Sequence, residues 1–248
     1  MAGQGTIAWP AADRFSALPL ACGNAIDPGI VASDDWRDWS DRATTVDQHR
    51  IENYLDRFSL AGKRILHVGI GNSGLARRFA RRADEVVGIS IDARELTLAQ
   101  GLGLANYVAV ERNKYAGLGD EIVGRFDFII DNNINSACCC LSHLRGLLEE
   151  YCDRLAPCGQ ILTDREGLAW IPEAAGLNPR WRFSLEDLAC AADLTGLTTE
   201  AIGSHLAALS RGDRAQPTLA SRTSSLLRRT PPAVARRLKR LRNRLARR

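Results

Sequence analysis

The 248-residue sequence has no continuous apolar stretch that approaches the roughly 18–20 residues of a membrane-spanning helix. Near its first residue it also lacks the basic segment followed by an apolar one that marks a secretory signal. Its seven cysteines are an odd number, which argues against a disulfide framework. Together these absences favour a protein of the reducing cytoplasm.

Histidine is scarce as well. With four histidines and no CxxC pair, the sequence does not predict a metal site. Three cysteines are consecutive, Cys138, Cys139 and Cys140, and we interpret them as small buried side chains at the start of a helix. No internal repeat is visible, and the length suits one α/β domain with additions.

Charge is distributed unevenly along the chain, although the formal net charge is only +4. Residues 211–248 contain 13 Lys or Arg and one acid, whereas residues 1–210 contain 20 basic and 28 acidic side chains. Composition changes at the same place. We therefore predict an irregular segment over 1–32, a folded domain over 33–210 that begins with a helix covering the site, and a basic tail over 211–248.

Within the tail, one helical stripe of apolar residues is surrounded by arginine and lysine: Val234, Leu238, Leu241 and Leu245. A basic amphipathic helix suits an anionic membrane surface, and clustered arginines also suit RNA. A solvated tail that binds nothing is the alternative. The sequence predicts either a cytoplasmic protein or one that also associates peripherally with a membrane surface.

The most informative stretch is a strand, a glycine-rich turn and a helix over residues 64–83. The apolar run 65–68 predicts a buried strand, Gly69 and Gly71 form the turn, and apolar residues at helical spacing follow from Leu75. Glycine has no Cβ, so such a turn lets the backbone approach a ligand closely. The acid that a nicotinamide-binding turn requires after the second strand is replaced by Ser90.

Further strands and helices alternate along the chain. The pattern predicts helices over 33–58, 93–102, 137–155 and 183–194, and strands over 85–89, 107–111, 126–131 and 160–164. A last antiparallel pair is expected over 197–202 and 205–210. Repeated strand–helix–strand units with short connections indicate a doubly wound, mostly parallel sheet.

Three landmarks in order give this sequence a family resemblance. They are His67-Val68-Gly69-Ile70-Gly71 at strand 1, Phe126-Asp127-Phe128-Ile129 at strand 4, and Leu155-Ala156-Pro157-Cys158-Gly159 before strand 5. Over about residues 45–210 the chain resembles the class I S-adenosylmethionine-dependent methyltransferases. The resemblance implies a seven-stranded Rossmann-like sheet with helices on both faces. It also implies S-adenosylmethionine as the cofactor.

Loops at the carboxyl ends of the strands are the expected ligand site. Under the resemblance, the residues expected to contact the cofactor are His67, Gly69, Gly71, Asn72, Ser90, Ile91, Asp92, Arg112 and Asn113. Of these, Asp92 is the expected partner of the ribose hydroxyls. A structural turn without a ligand is the alternative for the glycines, and plain surface polarity is the alternative for Arg112 and Asn113.

The polar insert after strand 4, residues 131–136, supplies the expected catalytic residues. Asp131 and Asn132 are positioned to orient an acceptor, and we expect Asp131 to act in turnover more than in folding. His143, on the following helix, is a second candidate for the general base, with an ordinary surface histidine as the alternative. Trp36 and Trp39 are candidates for a lid over the site, or for simple helix packing.

Two classes of function remain open from the sequence. The first is methyl transfer to a hydroxyl or amine of a small molecule or of a sugar- or lipid-linked acceptor. The second is a non-catalytic or RNA-directed protein of the same fold, localised by the basic tail. The insert is not the Asp/Asn-Pro-Pro-aromatic motif of nucleobase and glutamine amino-methyltransferases, which argues against those substrates. We favour the first class.

Overall fold

A computed structural model describes residues 15, 18–25, 38–170 and 181–212. The predictions made for Trp36 and for the basic tail beyond Gly212 lie outside these residues. Within them, the sheet is built from strands β1 Arg64–Val68, β2 Glu85–Ser90, β3 Tyr107–Glu111, β4 Phe126–Asp131, β5 Leu155–Asp164, β6 Leu197–Ile202 and β7 Leu206–Arg211. The helices are α1 Val46–Leu55, α2 Gly74–Phe79, α3 Ala93–Gly101, α4 Leu141–Arg154, α5 Arg165–Ala169 and α6 Leu185–Asp193.

The seven strands form one sheet in the order β3-β2-β1-β4-β5-β7-β6. Strands β1 to β5 are parallel, whereas β7 is antiparallel to both β5 and β6. Strands β2 and β3 are added on one side of β1, and the chain then crosses back so that β4 and β5 are added on the other side. This reversal between β1 and β4 is where ligands bind in doubly wound sheets, outside the carboxyl ends of the strands.

Both faces of the sheet are covered, as its nearly continuous apolar strands require. On one face, α1 and α2 contribute Ile51, Leu55, Leu75 and Phe79 to a buried cluster with Ile65. On the other face, the apolar stripes of α4 and α6 form a second buried cluster with sheet side chains that include Leu66, Ile129 and Ile161. The amphipathic periodicity of α2, α4 and α6 therefore corresponds to their buried faces.

Most predicted elements are confirmed by the structure. Strands β3 and β4 have the predicted bounds, and β2, β6 and β7 match to within one residue. Ser184 caps α6: its side chain accepts from the Asp187 backbone while the Asp187 carboxylate accepts from the Ser184 backbone. The predicted antiparallel pair closes the sheet.

Several boundaries differ from the prediction. Helix α1 begins at Val46 rather than at residue 33, and Val46 itself is exposed. Residues 38–45 form turns and irregular backbone instead of helix. Helix α4 begins at Leu141, so the three cysteines precede it, and β5 starts five residues earlier than predicted.

Part of the expected irregular segment is buried. Phe15 and Leu18 belong to the core cluster on the α4 face, and the Phe15 ring lies 5.6 Å from that of Phe183. The backbone N–H groups of Leu141 and Ser142 donate to the carbonyls of Pro19 and Leu20. This contact satisfies amide groups at the start of α4 that have no partner within the helix. No helix in the described ranges combines the length and the apolarity needed to cross a membrane.

Candidate functional site

A cavity of about 580 Å³ opens at the carboxyl ends of β1, β2, β3 and β4. Its size lies within the range of small-molecule sites in proteins. Ten of the twelve residues predicted for the site contribute to its lining: His67, Gly69, Gly71, Asn72, Ser90, Ile91, Arg112, Asn113, Asp131 and Asn132. The sheet therefore brings together segments that are up to 65 positions apart in the sequence.

The turn after β1 exposes bare backbone to this cavity. Gly69 and Gly71 have φ angles of +74° and +50°, a region that favours glycine. A Cβ at Gly69 would meet no protein atom within 4 Å, whereas one at Gly71 would lie 3.5 Å from the Cβ of Trp39. The Asn72 side chain fixes the turn: its Oδ1 accepts from the Gly74 N–H and its Nδ2 donates to the Arg42 carbonyl.

A buried carboxylate lies next to the turn at the end of β2. Glu95 Oε2 accepts hydrogen bonds from the Gly71 N–H at 3.1 Å and from the Ser90 hydroxyl at 2.7 Å. Glu95 lines the cavity, and burial raises the pKa of its carboxyl above the usual value. Glu95 was not among the predicted residues, because the acid is expected at the end of the strand and Glu95 lies in the first turn of α3.

Asp92, the expected partner of the ribose, does not line the cavity. Its Oδ1 accepts from the Arg94 N–H and caps α3, while its Oδ2 lies 2.8 Å from the Arg94 guanidinium. Hydrogen bonding to Arg94 lowers the pKa of Asp92 below its usual value. The Asp92 carboxylate is therefore committed to the helix start, and Glu95 is the acid of this helix that lines the cavity.

Helix α1 contributes a polar wall of residues that were not among those predicted for the site. Asp47, Gln48 and Glu52 line the cavity. Glu52 is buried and its Oε2 accepts from Arg78 at 3.1 Å, but its Oε1 has no partner among the described residues. Gln48 Nε2 is likewise buried and unpaired there. Buried polar atoms without partners are costly, so their presence in a cavity wall indicates a ligand or ordered water.

His67 lies on β1 at the floor of the cavity and is buried. Burial lowers its pKa to about 4, so the imidazole is neutral at pH 7. Its Nδ1 is a further buried atom without a partner in the described part of the chain. A neutral imidazole can accept or donate one hydrogen bond there without placing a positive charge in the cavity.

Two residues after β3 form another part of the lining. The Arg112 guanidinium donates to the Gly117 carbonyl at 2.6 Å and lies 3.3 Å from Glu121. Asn113 Oδ1 accepts from the Tyr115 N–H and caps a short 3-10 helix, Lys114–Ala116. Both side chains therefore hold the loop in place as well as bordering the cavity.

Asp131 lines the cavity, but its carboxylate is already fully engaged. Lys114 Nζ lies 3.1 Å and 3.0 Å from its two oxygens, and the Tyr151 hydroxyl donates to Oδ2 at 2.8 Å. Burial, with Asp131 close by, raises the pKa of Tyr151 well above its usual value. Asp131 is therefore one half of a buried ion pair as well as part of the cavity wall, and its expected role in turnover stays a prediction.

The polar insert after β4 is held by α1 and α5. Asn132 Nδ2 donates to Asp47 Oδ2 at 2.6 Å, and Asn133 Nδ2 donates to the Gly167 carbonyl at 3.1 Å. Asn132 Oδ1 is buried without a partner among the described residues and lines the cavity. Trp39 and Trp170 also contribute to the lining, with their rings edge to face at 6.3 Å. The Trp39 prediction of a covering aromatic is therefore consistent with its position.

His143 is not part of the cavity. Its Nδ1 lies 3.1 Å from the sulfurs of both Cys139 and Cys140 and 3.5 Å from that of Cys22. A role as general base at the cavity is therefore wrong for His143. The cluster also contradicts the interpretation of the cysteine triplet as buried thiols only, since Cys139 is exposed.

The charged side chains in the cavity lining are mostly acidic. There are five carboxylates, Asp47, Glu52, Glu95, Asp131 and Glu166, against three cations, Arg42, Arg112 and Lys114. Lys114 is neutralised by Asp131, and Arg112 is directed to a carbonyl and to Glu121. Two of the carboxylates are paired as well, Glu52 with Arg78 and Glu166 with Arg50. The lining therefore carries a small excess of negative charge, which favours a ligand that carries positive charge.

Comparisons with known proteins support the fold. No protein-family model matches the sequence, and no curated protein matches it either. Among solved structures, the N-methyltransferase NodS from Bradyrhizobium japonicum WM9 superimposes with a TM-score of 0.50 at 12% identity. The match covers 66% of this chain and 96% of that chain. The chain has the class I methyltransferase fold.

Other solved structures of this methyltransferase fold are also similar. CalS10, an amino pentose methyltransferase from Micromonospora echinaspora, has a TM-score of 0.49 at 16% identity and covers 71% of this chain and 92% of its own. Magnesium protoporphyrin IX methyltransferase from Synechocystis PCC 6803 has a TM-score of 0.48 at 13% identity. That match covers 66% of this chain and 81% of the Synechocystis chain. At such identities the likeness is one of fold.

Proposed function

We propose that this chain is an S-adenosylmethionine-dependent methyltransferase acting on a hydroxyl or amine of a small-molecule or of a sugar- or lipid-linked acceptor. The observation that carries the proposal is the combination of a bare glycine turn with an acidic cavity at the switch point of a methyltransferase fold. S-adenosylmethionine carries a sulfonium and an ammonium, so an acidic lining suits it.

The position of Glu95 favours this cofactor over a dinucleotide. In dinucleotide-binding turns, backbone N–H groups at the helix start face a pyrophosphate. Here the Gly71 N–H donates to the Glu95 carboxylate, so an anion of the protein already occupies that donor. A pyrophosphate would meet a buried carboxylate at this point, and like charges that close repel.

The lining residues fit the parts of the cofactor. Glu95, held by Ser90 and Gly71, offers its Oε1 to the ribose hydroxyls. Ile91, Arg112 and Asn113, after β2 and β3, border the part of the cavity proposed for the adenine. Glu95 thus serves where a family member would have an acid at the end of the second strand.

The amino acid portion of the cofactor is assigned to the wall between β1 and α1. The unpaired Glu52 Oε1 is a suitable partner for an ammonium, and the neutral His67 Nδ1 adds no repulsion. Both atoms are buried and both residues line the cavity. A ligand that donates to them would remove the cost of leaving them unpaired.

The cofactor supplies a methyl group bound to a sulfonium, which already has a good leaving group. The protein's contribution is to align the acceptor, because alignment alone can give effective molarities of about 10⁵ M or more. Asn132 Oδ1, Asp47 and Glu166 are the polar groups proposed to bind the acceptor, since they line the cavity and are not assigned to the cofactor. Trp39 and Trp170 provide an apolar surface for it.

Calorimetric titration tests the proposal, with S-adenosylmethionine, its demethylated product and NAD as ligands. We expect the first two to bind in the micromolar range and NAD to bind far more weakly. Glu95→Gln removes the negative charge beside the ribose position and is expected to weaken binding by about 10-fold or more, since a charged hydrogen bond is lost. Glu200→Gln, an exposed residue of β6, is the matched control and should bind as the wild type does.

Two results would contradict the proposed function. Preferential binding of NAD would show that the turn is a dinucleotide site. Unchanged S-adenosylmethionine affinity in a folded Glu95→Gln protein would show that the carboxylate does not contact the ligand. Methyl transfer itself is then measured with labelled cofactor and a panel of hydroxyl and amine acceptors.

We further propose that the basic tail places the enzyme at an anionic membrane surface. The support is its charge, 13 Lys or Arg against one acid, and the apolar stripe that includes Leu238, Leu241 and Leu245. Charge supplies most of such binding because the stripe is narrow and lacks aromatic residues. A position near a membrane would suit a lipid-linked acceptor.

A further inference from the structure

Four potential metal ligands meet outside the cavity, on the side of α4 that faces residues 18–25. They are Cys22, Cys139, Cys140 and His143, and all four ligand atoms lie within 4.8 Å of one another. His143 Nδ1 is 3.1 Å from two of the sulfurs and 3.5 Å from the third. The Cys22 and Cys139 sulfurs are 3.6 Å apart.

Hydrogen bonding cannot account for this arrangement. The imidazole Nδ1 has either one proton or one lone pair, so it makes one good hydrogen bond. Three sulfurs nevertheless surround the same nitrogen. A disulfide does not account for it either, because bonded sulfurs are about 2.05 Å apart and would leave the third thiol and the histidine unexplained.

The separations match those around a tetrahedral metal ion. Zinc–sulfur distances of about 2.3 Å and zinc–nitrogen distances of about 2.05 Å place two sulfurs about 3.8 Å apart and a sulfur and a nitrogen about 3.6 Å apart. In the structure, the Cys22 and Cys139 sulfurs are 3.6 Å apart and the sulfur–nitrogen distances are 3.1–3.5 Å. These values differ from the ligand–ligand distances of a zinc site by at most about half an ångström.

Local structure explains why the four side chains converge. Cys139 and Cys140 directly precede α4, and His143 lies in its first turn. Cys22 is brought to them because the Leu141 and Ser142 amides donate to the Pro19 and Leu20 carbonyls, at 2.9 and 3.0 Å. The Ser142 hydroxyl also donates to the Leu20 carbonyl. The backbone therefore holds the cysteine in place independently of any metal.

We propose that Cys22, Cys139, Cys140 and His143 form a structural zinc site. The three thiols lose their protons to solvent as the zinc–sulfur bonds form, and the fourth bond is made by His143 Nδ1. Four protein ligands fill a tetrahedral ion, so the site has no open position and its role is structural. Three thiolates are soft ligands and favour zinc over magnesium or calcium.

The ion would connect the N-terminal segment to the wall of the cavity. Ser136 and Ala137, which line the cavity, directly precede the cysteines. Ala137 has a φ of +57°, an uncommon conformation for a residue with a side chain. Fixing the next three residues through a metal would keep this loop, and thus the acceptor side of the cavity, in one conformation.

Cobalt substitution and metal analysis of the full-length protein test the site. Protein purified under reducing, anaerobic conditions is expected to contain one zinc per chain by elemental mass spectrometry. After exchange, Co²⁺ should give a thiolate charge-transfer band and the strong visible bands of tetrahedral coordination. Cys22→Ser and His143→Ala should weaken Co²⁺ binding by about 100-fold or more, because each removes one of four ligands.

Cys158→Ser is the matched control, since Cys158 is exposed like Cys139 but lies on β5, outside the cluster. It should bind metal as the wild type does. A chelator should lower the melting temperature of the wild type and of Cys158→Ser but leave that of Cys22→Ser unchanged. The change of melting temperature on adding a chelator distinguishes the loss of a bound structural ion from misfolding of the variants.

Three outcomes would overturn the site. The first is reduced wild-type protein that takes up no zinc or Co²⁺. The second is Co²⁺ binding that persists in Cys22→Ser and His143→Ala, which would place the ion elsewhere. The third is a Cys22–Cys139 disulfide in non-reduced protein, found by peptide mass mapping, with no metal in the reduced form. None depends on cofactor binding, so the two proposals fail separately.

Discussion

Asp131 illustrates how one buried side chain can serve the fold and border a site at once. It is 1% exposed, and its carboxylate accepts from Lys114 and from the Tyr151 hydroxyl. Removing one member of a buried pair leaves the other charge without a partner, which costs more than the pair itself contributes.

Asp131→Asn is therefore expected to destabilise the protein by about 3 kcal/mol, measured by urea denaturation. Glu149→Gln is the control, because it removes one partner of the exposed Arg145–Glu149 pair and should cost about 0.5 kcal/mol or less. Unchanged stability of Asp131→Asn together with lost methyl transfer would instead assign the residue to catalysis.

His67 makes the stability depend on pH. Its pKa is about 4 in the folded protein because of burial, against 6.5 for an unperturbed histidine. Between these values the unfolded chain binds the proton and the folded chain does not, so stability is full above about pH 6.5 and falls as the pH decreases toward 4. The loss attributable to His67 reaches about 3 kcal/mol.

His67→Gln has no proton to gain in this range, so its unfolding free energy should decrease less between pH 7 and pH 5 than that of the wild type. Urea midpoints at the two pH values measure the difference. Equal decreases in the two proteins would mean that the folded histidine takes up a proton, and hence that its imidazole is not isolated from solvent.

At the scale of elements, the approach of α5 to the insert after β4 depends on one glycine. A Cβ at Gly167 would lie 2.1 Å from the Asn132 carbonyl oxygen and 2.4 Å from its Oδ1. The helix can therefore pack against this cavity wall only where no side chain intervenes. The same glycine's carbonyl accepts from Asn133 Nδ2, so the two elements are linked by a bond as well.

Gly167→Ala is expected to displace the cavity wall, lower stability by about 1–3 kcal/mol and weaken acceptor or cofactor binding. Gly146→Ala, in α4 with nothing within 4 Å of the new Cβ, should be neutral or stabilise by up to about 1 kcal/mol. Thermal unfolding and titration of both variants test this. A Gly167→Ala protein as stable as Gly146→Ala would show that α5 can shift without cost.

At the scale of the whole molecule, the end of the sheet fixes where the basic tail begins. β7 runs to Arg211, whose guanidinium donates to the Cys152 carbonyl, and the Gly212 amide donates to the Gly196 carbonyl. The boundary predicted after residue 210 would cut this strand. The separation of tail from fold therefore belongs after Gly212.

A chain ending at Gly212 should keep the melting temperature and the S-adenosylmethionine affinity of the full chain but lose binding to anionic vesicles. Full-length protein should bind vesicles containing phosphatidylserine at low salt, and binding should decrease steeply toward physiological salt because the interaction is electrostatic. Binding to RNA but not to vesicles would assign the tail a different partner. Insolubility of the shortened chain would show that the tail is part of the fold.

The fold could be predicted from the sequence because its signals are local. Alternation over Tyr107–Glu111, the apolar run at Phe126–Asp131 and the glycine turn at Gly69 each specify an element from neighbouring residues. The start of α1 could not be predicted, because turn-forming and helix-forming patterns overlap across residues 38–45. Its true boundary depends on contacts such as Asn72 with the Arg42 carbonyl.

The sequence by itself determined the sheet, its order of elements and the location of the cavity, since strand periodicity and turn chemistry act over a few residues. Only the tertiary structure decided which carboxylates face that cavity. Asp92 and Glu95 are three positions apart, yet one caps α3 and the other turns inward to Gly71. It also decided the cysteine cluster, because Cys22 is 117 positions from Cys139 and only the contact of residues 18–25 with α4 unites them.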